Sequence, residues 1–370
     1  MGDGGTEIGS DYGAPMDIAD IPEAIEWQAE HAHRAGAPGT AAVVRAMLAV
    51  VRGNTAVGRR MAAWQGLTLQ DAMPLRLHGG LHHLLLLGAD RRLSAVYSGE
   101  MTEQPAVDAL VCELVETYDA RLLPWLDGPP QTNEAGRSAS IMAGLLWLAQ
   151  HVPPRFRLFE IGSSAGVNTM LDRYRFELGG VSAGPADSPM VIAPDWRGPP
   201  PPAGMTDIVG IEGCDIAPID LIDAEAALRL KGYVWPEAAE RMGRIDAAIV
   251  LAQVAPPSVV KSDAADFVEA VLERPPESGV TRALFHSIVW QYIPEDRQQR
   301  ITAAMERAGA AADTDTPLAW IALETNRETF AHELTVRYWP GPAEPVVLAT
   351  AHPHGAWIEW RGSIGNGSEA

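Results

Sequence analysis

The spacing of apolar residues changes along the chain and divides it into two parts. From Ile18 to about Val152, apolar residues recur every three or four positions, which is typical of helices that pack through one face. The segments with this pattern are Ala24–His33, Gly39–Val51, Leu69–Leu87, Gln104–Leu122 and Gln131–His151. Pro74 and the pair Gly79-Gly80 interrupt the third segment. The first part of the chain is therefore predicted to be a helical domain or lid.

After Pro154, short apolar runs alternate with helical segments, which is typical of a doubly wound, mostly parallel α/β sheet. The expected strands are Arg157–Ile161, Asp207–Cys214, Ser258–Lys261, Ala283–Ile293 and Pro317–Leu323. The expected helices are Asp220–Lys231, Glu237–Gln253 and one from Pro294 to about Ala308. Leu334–Trp339 and Val346–Ala351 are expected to form an antiparallel C-terminal hairpin, which Ala356–Trp360 can extend.

These patterns give a simple domain plan. We expect a flexible tail at 1–17, the helical part at 18–152, the α/β domain at 153–362 and a second tail at 363–370. Within the α/β domain, residues 179–203 are rich in proline and glycine, which favours an inserted irregular segment.

Charge and composition narrow the classes of partner. The net charge of −20 disfavours nucleic acid and anionic membrane surfaces, so a small-molecule substrate is expected. Two cysteines, Cys112 and Cys214, are too few for a disulfide framework, and the N-terminal residues lack the apolar core of a signal peptide. A cytoplasmic protein is expected, and the sequence gives no indication of its oligomeric state.

The stretch Arg157–Arg173, RLFEIGSSAGVNTMLDR, contains the clearest candidate for a ligand site. A short apolar run ends at Glu160, a turn rich in small residues follows, and the chain then has the pattern of a helix. Small residues let a ligand approach the backbone, and the amides at a helix start favour anionic groups. The turn could instead serve only the packing of a strand against a helix.

Four segments in order resemble the motifs of the class I S-adenosylmethionine-dependent methyltransferases: FEIGSSAGVN, IVGIEGCDIAP, VVKSDAADF and FHSIVWQYIP. The resemblance covers roughly residues 155–360. The chain as a whole also resembles an uncharacterised bacterial family that is described only as a domain of unknown function, which implies no substrate.

The resemblance to the methyltransferases implies S-adenosylmethionine as the cofactor. The implied cofactor-binding residues are Glu160, Gly162, Ser163, Ser164, Ala165, Gly166, Asn168, Asp215, Asp263 and Ser287. Asp215 is expected to hold the ribose hydroxyls, and Asp263 the adenine amine. Asn168 could equally cap a helix, and Asp263 could be an ordinary polar strand end.

Two features depart from the family's pattern. The first acidic residue and the second are usually about 20 positions apart, whereas 55 positions separate Glu160 from Asp215. The proline-rich insertion explains this gap; the competing interpretation places the second strand at Tyr174–Leu178, with Glu177 as the acid. The second departure is Ser163-Ser164, where the family often has a turn richer in glycine, and this leaves room for a different ligand.

The fourth motif supplies the candidate catalytic residues, His286 and Tyr292, and two candidate substrate contacts, Trp290 and Gln291. His286 would act as a general base for a hydroxyl or amine acceptor. A histidine within an apolar strand is more often a satisfied core residue, and Trp290 and Tyr292 could simply pack. Asn133 and Arg137 are further candidate substrate contacts, although Asn133 could cap a helix.

Other polar clusters carry weaker hypotheses. Tyr97, Glu100 and Gln104 form a polar patch beside a loop, and His352-Pro353-His354 looks like part of a metal site. No cysteine and no third histidine stands near these two in sequence, so no metal is expected.

The leading hypothesis is a methyltransferase with a small-molecule acceptor. One alternative is a non-catalytic protein that binds a metabolite or a partner on a degenerate Rossmann-like fold. Another is a nicotinamide-dependent oxidoreductase, although the turn lacks the third glycine of G-x-G-x-x-G.

Overall fold

The structure is a computed structural model, and it describes residues 18–362. These residues form two compact units. One unit contains residues 133–222 and 246–362, and we call it the α/β unit. The other contains residues 18–132 and 223–245, and we call it the helical unit.

Eleven α-helices lie within residues 18–362. They are α1 (Ile21–Arg34), α2 (Pro38–Val50), α3 (Ala56–Ala62), α4 (Met73–Leu86), α5 (Ser94–Tyr97), α6 (Gln104–Leu122), α7 (Ser138–Leu148), α8 (Ala224–Gly232), α9 (Ala239–Val254), α10 (Ala264–Glu273) and α11 (Glu295–Ala310). Short 3₁₀ helices occur at Leu123–Leu126, Ala135–Arg137, Asn168–Arg173 and Trp290–Tyr292.

The strands of the described chain number twelve. They are β1 (Arg155–Ile161), β2 (Arg175–Leu178), β3 (Val181–Ala183), β4 (Val191–Ile192), β5 (Asp195–Arg197), β6 (Asp207–Asp215), β7 (Val259–Lys261), β8 (Thr281–Ser287), β9 (Leu318–Thr325), β10 (His332–Trp339), β11 (Val346–Ala351) and β12 (Trp357–Trp360).

Nine strands form one large, mostly parallel sheet in the order β5-β12-β11-β10-β9-β8-β1-β6-β7. The five strands from β7 to β9 are parallel, and β9, β10, β11 and β12 pair antiparallel, which includes the expected hairpin. From β1 the chain passes to β6 and β7 on one side, and then to β8 and β9 on the other. The order of the strands therefore reverses between β1 and β8.

Helices cover both faces of this sheet. Phe159 and Leu284 point to the face covered by α10 and α11, where they join a buried cluster with Val268 and Ile301. On the opposite face, Gly144 of α7 packs against Ile321. The alternation of side chains along β1 places Glu160 on the α7 face, because its neighbour Phe159 lies on the other.

The segment after β1 differs from the expected α-helix. It forms only the 3₁₀ helix Asn168–Arg173, and the chain then enters β2. The strands β2, β3 and β4 form a separate three-stranded sheet, and the inserted segment ends in the edge strand β5. This insertion accounts for the long interval before β6. The alternative interpretation predicted a strand at Tyr174–Leu178, and Arg175–Leu178 does form β2, but in the separate sheet. The strand that pairs with β1 is β6, so the placement of Tyr174–Leu178 as the second strand of the large sheet is wrong.

The expected strand Ala283–Ile293 is also too long. β8 ends at Ser287, and Ile288 has a positive φ of 52°, so the run turns into a 3₁₀ helix. A β-branched residue seldom adopts this left-handed conformation. The apolar pattern could not reveal the turn, because the residues after it are as apolar as the strand.

In the helical unit, α4 continues through Gly79-Gly80, which the sequence predicted as an interruption. A Cβ atom at Gly79 would lie 2.8 Å from the Tyr233 ring, and one at Gly80 would lie 2.9 Å from Trp125. The glycines therefore allow close packing of the helix against these rings. The stabilisation from these tertiary contacts outweighs the low helix propensity of glycine.

The two units divide the chain differently from the expected boundary near residue 152. α7 belongs to the α/β unit, and α8 belongs to the helical unit. Among residues 18–362, no helix combines the length and the apolar character that crossing a membrane requires. The expected tails at 1–17 and 363–370 lie outside the described residues.

Two neutral histidines are buried in the helical unit. The Tyr97 hydroxyl lies 3.3 Å from Nε2 of His78, and Nδ1 of His82 lies 3.2 Å from the Gly232 carbonyl oxygen. Burial lowers the pKa of His78 to about 3 and that of His82 to about 4. Unfolding at mildly acidic pH therefore takes up protons at both positions.

We expect the contribution of these two histidines to the free energy of unfolding to be fully present above pH 6.5, and to fall as the pH drops towards their folded pKa values of about 3 and 4. The slope is about 1.4 kcal/mol per pH unit for each histidine. Urea unfolding followed by circular dichroism at pH 7 and pH 5 measures it. His78→Gln should reduce the slope, and the exposed control His33→Gln should not. Equal slopes in wild type and His78→Gln would contradict this account.

Candidate functional site

The turn after β1 has an unusual backbone. Gly162, Ser164 and Gly166 all have positive φ, at 71°, 50° and 73°. A Cβ atom at Gly162 would lie 2.3 Å from Cγ2 of Val289, and one at Gly166 would lie 2.7 Å from Pro257. Both glycines are therefore required by the backbone conformation and by close contacts within the chain.

Asp215, at the end of β6, holds this turn in place. Its Oδ2 accepts a hydrogen bond of 2.9 Å from the Ser164 amide, and its Oδ1 accepts one of 2.8 Å from the Ala217 amide. The Ser163 amide also donates to the Cys214 carbonyl oxygen at 2.9 Å. The predicted ribose-binding acid thus lies directly beside the glycine turn, at the carboxyl end of the strand next to β1.

Glu160 and Asn168 are buried beside the turn, each with 2% of its surface exposed. Within the described chain, Oε2 of Glu160 and both side-chain polar atoms of Asn168 have no hydrogen-bond partner. Burial raises the pKa of Glu160 to about 8, so this carboxyl group is mostly protonated at pH 7. Unsatisfied buried polar atoms are uncommon and call for an explanation, such as a water, an ion or a ligand.

Asn133 and Arg137 lie at the same edge of the sheet. Oδ1 of Asn133 accepts a hydrogen bond of 2.8 Å from the Val167 amide, so this side chain fixes the turn. Arg137 is buried, and it donates to the carbonyl oxygens of Pro353 at 2.7 Å and Ser287 at 3.4 Å. Its positive charge acts to lower the pKa of Glu160, although the effect of burial is larger.

His286 is buried at the end of β8 with both ring nitrogens hydrogen bonded. The indole Nε1–H of Trp320 donates to Nε2 at 2.9 Å, so the proton of the neutral ring is on Nδ1. Nδ1 donates to Oε1 of Glu324 at 2.6 Å, and the ring stacks on Trp290. This is a fixed and fully paired histidine. The prediction that it acts as a general base stays a prediction.

Glu324 also fixes the loop after β8. Its Oε1 accepts hydrogen bonds from the amides of Val289 at 3.1 Å and Trp290 at 3.3 Å. These contacts hold the loop just after the strained backbone of Ile288. Such strain persists only where surrounding contacts enforce it, and it is often found at functional sites.

The remaining predicted residues differ in their accessibility. Tyr292 is 72% exposed, Gln291 is also exposed, and Trp290 and Ser287 are partly buried. Ser163 and Ala165 are buried in the turn. Tyr292 and Gln291 are accessible to a substrate, whereas the buried turn residues can offer mainly backbone groups.

Asp263 caps α10, as the simpler interpretation of the sequence proposed. Its Oδ1 accepts hydrogen bonds from the amides of Ala265 at 2.9 Å and Asp266 at 3.3 Å, and its Oδ2 lies 3.3 Å from Nε of Arg297. These partners occupy much of its hydrogen-bonding capacity, and an adenine contact would have to be added to them.

The structure therefore brings the turn, Asn133, Arg137, Glu160, Asn168 and Asp215 together, and it separates Glu160 from the His286 ring. Phe285 pairs with Glu160 in register, so the next residue, His286, points to the α10–α11 face. Sequence reasoning missed Glu324, Trp320 and Val289. Glu324 could have been identified from sequence, because it is an acidic residue near the end of an otherwise apolar strand. A carboxylate in such a position needs a hydrogen-bond or charge partner.

The weaker clusters do not add to this site. Tyr97, Glu100 and Gln104 belong to the helical unit. His352 and His354 lie in the loop between β11 and β12, and residues 18–362 contain no group of three or more His, Cys, Asp or Glu side chains that could hold a metal ion. Burial raises the pKa of the Cys214 thiol to about 12, which makes it a poor nucleophile.

Residues 22–360 match the sequence profile of a family described as "Uncharacterized protein conserved in bacteria (DUF2332)". The chain belongs to this family. No curated protein and no solved structure matches the chain.

We expect Gly162→Ala to destabilise the protein by about 2–4 kcal/mol, because it combines a positive φ with a clash against Val289. Gly279→Ala is the matched control, since Gly279 has a φ of 72° and no atom within 4 Å of a Cβ built there. It should cost only about 1 kcal/mol. Urea unfolding compares the two, and adding Val289→Ala to Gly162→Ala should restore part of the loss. Equal effects of the two alanines would contradict the role of Val289.

Glu324→Ala should lower the free energy of unfolding by about 2–4 kcal/mol, since two amides and the His286 ring lose their acceptor. The nearby exposed control Glu328→Ala should change it by less than about 0.5 kcal/mol. Thermal and urea unfolding measure both variants. If Glu324→Ala were as stable as the control, the loop would not depend on this carboxylate.

Proposed function

We propose that the protein is an S-adenosylmethionine-dependent methyltransferase that acts on a small-molecule acceptor, with the cofactor at the glycine turn of residues 160–168. The observation that carries the proposal is the position of this turn. It follows β1 where the strand order reverses, between β1 and β8. In open α/β sheets, ligands bind outside the carboxyl ends of the strands at such a point.

The order of the four motif segments supports the same function. They include the carboxyl ends of β1, β6, β7 and β8, which are adjacent in the sheet in the order β7-β6-β1-β8. Parallel strands present their carboxyl ends along one edge, so segments that are far apart in sequence approach one ligand site. The methyltransferase-like arrangement of the whole domain, with its antiparallel C-terminal hairpin, is part of this proposal.

The side chains at this edge are compatible with such a cofactor. A carboxylate can accept about four hydrogen bonds, and two protein amides donate to Asp215, so capacity remains for ribose hydroxyls. Oε2 of Glu160 and the Asn168 amide are buried without partners in the described chain, and they suit a polar ligand group that enters beside the turn.

S-adenosylmethionine, when bound, supplies a methyl group on a sulfonium centre that a nucleophile can attack directly. The protein's own task is then to hold the acceptor in line and to exclude water. Glu160, mostly protonated at pH 7, can donate a hydrogen bond as well as accept one. Gly162 and Val289 bring the loops after β1 and β8 into contact, which fixes one wall of the site.

The geometry favours a positioning role for His286. Its Nε2 lone pair accepts from Trp320, so proton uptake there requires the indole to move away. Through Glu324, the same network holds the backbone of Val289 and Trp290. Tyr292, whose side chain is exposed beside this loop, is the more accessible of the two candidate catalytic groups.

A non-catalytic binding protein is the second candidate, and the full hydrogen bonding of His286 favours it. Such a protein would bind the nucleoside ligand at the same turn without transferring a methyl group. A nicotinamide-dependent oxidoreductase has no comparable support, because the turn has two glycines four positions apart.

Titration calorimetry with S-adenosylmethionine tests the proposal. We expect saturable binding, weakened about tenfold or more in Asp215→Asn because a charged acceptor for hydroxyl groups is lost. Asp207→Asn, at the exposed opposite end of the same strand, should bind like wild type. Gly162→Arg should abolish binding. The absence of binding to folded wild-type protein would refute the proposed cofactor, and binding without transfer to any acceptor would favour the second candidate.

A further inference from the structure

A second cavity lies at the opposite edge of the large sheet, near the amino-terminal ends of β1 and β8. Its volume is about 230 Å³, which suits a small organic molecule but not a dinucleotide. Its lining combines three arginines, Arg157, Arg274 and Arg282, with one glutamate and four apolar residues. A cavity rich in arginine is notable in a chain with a net charge of −20.

Two of these arginines are direct neighbours. Arg157 on β1 and Arg282 on β8 are register partners in adjacent parallel strands, so their side chains leave the sheet on the same face. Like charges in this position repel each other. An anion between them would remove the repulsion.

Arg157 and Arg274 already have carboxylate partners. Arg157 lies 2.7 Å from Glu277, and Arg274 lies 2.8 Å from Glu212. Glu277 belongs to the lining and has 55% of its side chain exposed, whereas Glu212 lies outside the lining and has 32% exposed. These two arginines are therefore balanced by carboxylates, and the unbalanced charge lies deeper in the cavity.

Arg282 is this unbalanced charge. It is 8% exposed, and its Nη1 donates to the carbonyl oxygens of Leu272 and Arg274 at the end of α10. Its Nε is buried and has no hydrogen-bond partner in the described chain. The two carbonyls supply only partial negative charge, and a buried cation without a full counterion is costly.

We propose that this cavity is a binding site for a small organic carboxylate. The ligand's carboxylate group lies between Arg157 and Arg282 and pairs with Arg282. The apolar part of the ligand packs against Phe159, Val271 and Val280. An apolar acid fits better than a bare inorganic anion, because half of the lining residues are apolar. The site is separate from the glycine turn, which lies at the other end of β1.

Calorimetry and thermal unfolding with benzoate test the site, with benzyl alcohol as the uncharged probe and inorganic phosphate as the anion without an apolar part. We expect saturable benzoate binding and at least tenfold weaker binding of the other two probes. Arg282→Met should weaken benzoate binding about tenfold or more. Arg155→Gln, which changes an exposed arginine at the start of β1, should leave benzoate binding unchanged.

If Arg282 serves only to cap the end of α10, benzoate does not bind to the folded wild-type protein. That result would overturn the proposal. Tighter binding of phosphate than of benzoate would overturn the assigned ligand class. If Arg282→Met does not fold, Arg157→Gln provides the same comparison, because its side chain is partly exposed. Asp215→Asn should bind benzoate like wild type, which separates this site from the proposed cofactor site.

Discussion

The carboxyl edge of the sheet depends on how closely the turn after β1 approaches β6. A Cβ atom at Gly213 would lie 2.1 Å from Oγ of Ser163, so no side chain fits between the strand and the turn. Asp215, two residues further on, then secures the turn through the Ser164 amide. The left-handed backbone at Gly162, Ser164 and Gly166 is the conformation that this approach imposes. The glycines of the turn and of β6 are therefore required by close packing. This packing brings the polar groups of the turn and of Asp215 together at the carboxyl edge of the sheet.

A second anchor acts on the neighbouring loop. Glu324 accepts hydrogen bonds from the His286 ring and from two backbone amides of the loop after β8. The same loop places Val289 against Gly162. The loops after β1 and β8 follow different strands, and this contact holds them together. Preorganised groups of this kind are what a binding or catalytic site needs, because little has to be ordered when the ligand arrives.

Much of the α/β unit could be predicted from sequence, because its strands are short apolar runs separated by amphipathic helices. β11 has the expected bounds, and no end of β1, β6, β9 or β10 differs from prediction by more than two residues. The position of Asp215 beside the turn was also predictable, since β6 has the better strand pattern. The failures came where tertiary contacts override local preference: the 3₁₀ helix after the turn, the left-handed Ile288, and the glycine pair within α4.

Side-chain roles were harder to predict than strands. Asn133 and Asp263 had the residue types of ligand contacts, but they bond to backbone amides. The hydrogen-bond partners of His286 are Trp320 and Glu324 on β9, which are 34 and 38 positions away in sequence. The residues next to His286 in sequence therefore gave no sign of these partners. The arginine pair across β1 and β8 was equally hidden, because register is a property of the folded sheet. Periodicity gives the face of a residue, whereas its partners depend on which strands are adjacent.

Hydrogen–deuterium exchange with and without S-adenosylhomocysteine locates a bound ligand without requiring turnover. If the cofactor binds at the glycine turn, exchange slows at the amides of residues 162–168 and at those just after β6, with little change in β11 and β12. Unchanged exchange at the turn in the presence of excess ligand, or protection confined to a different edge of the sheet, would contradict binding at this turn.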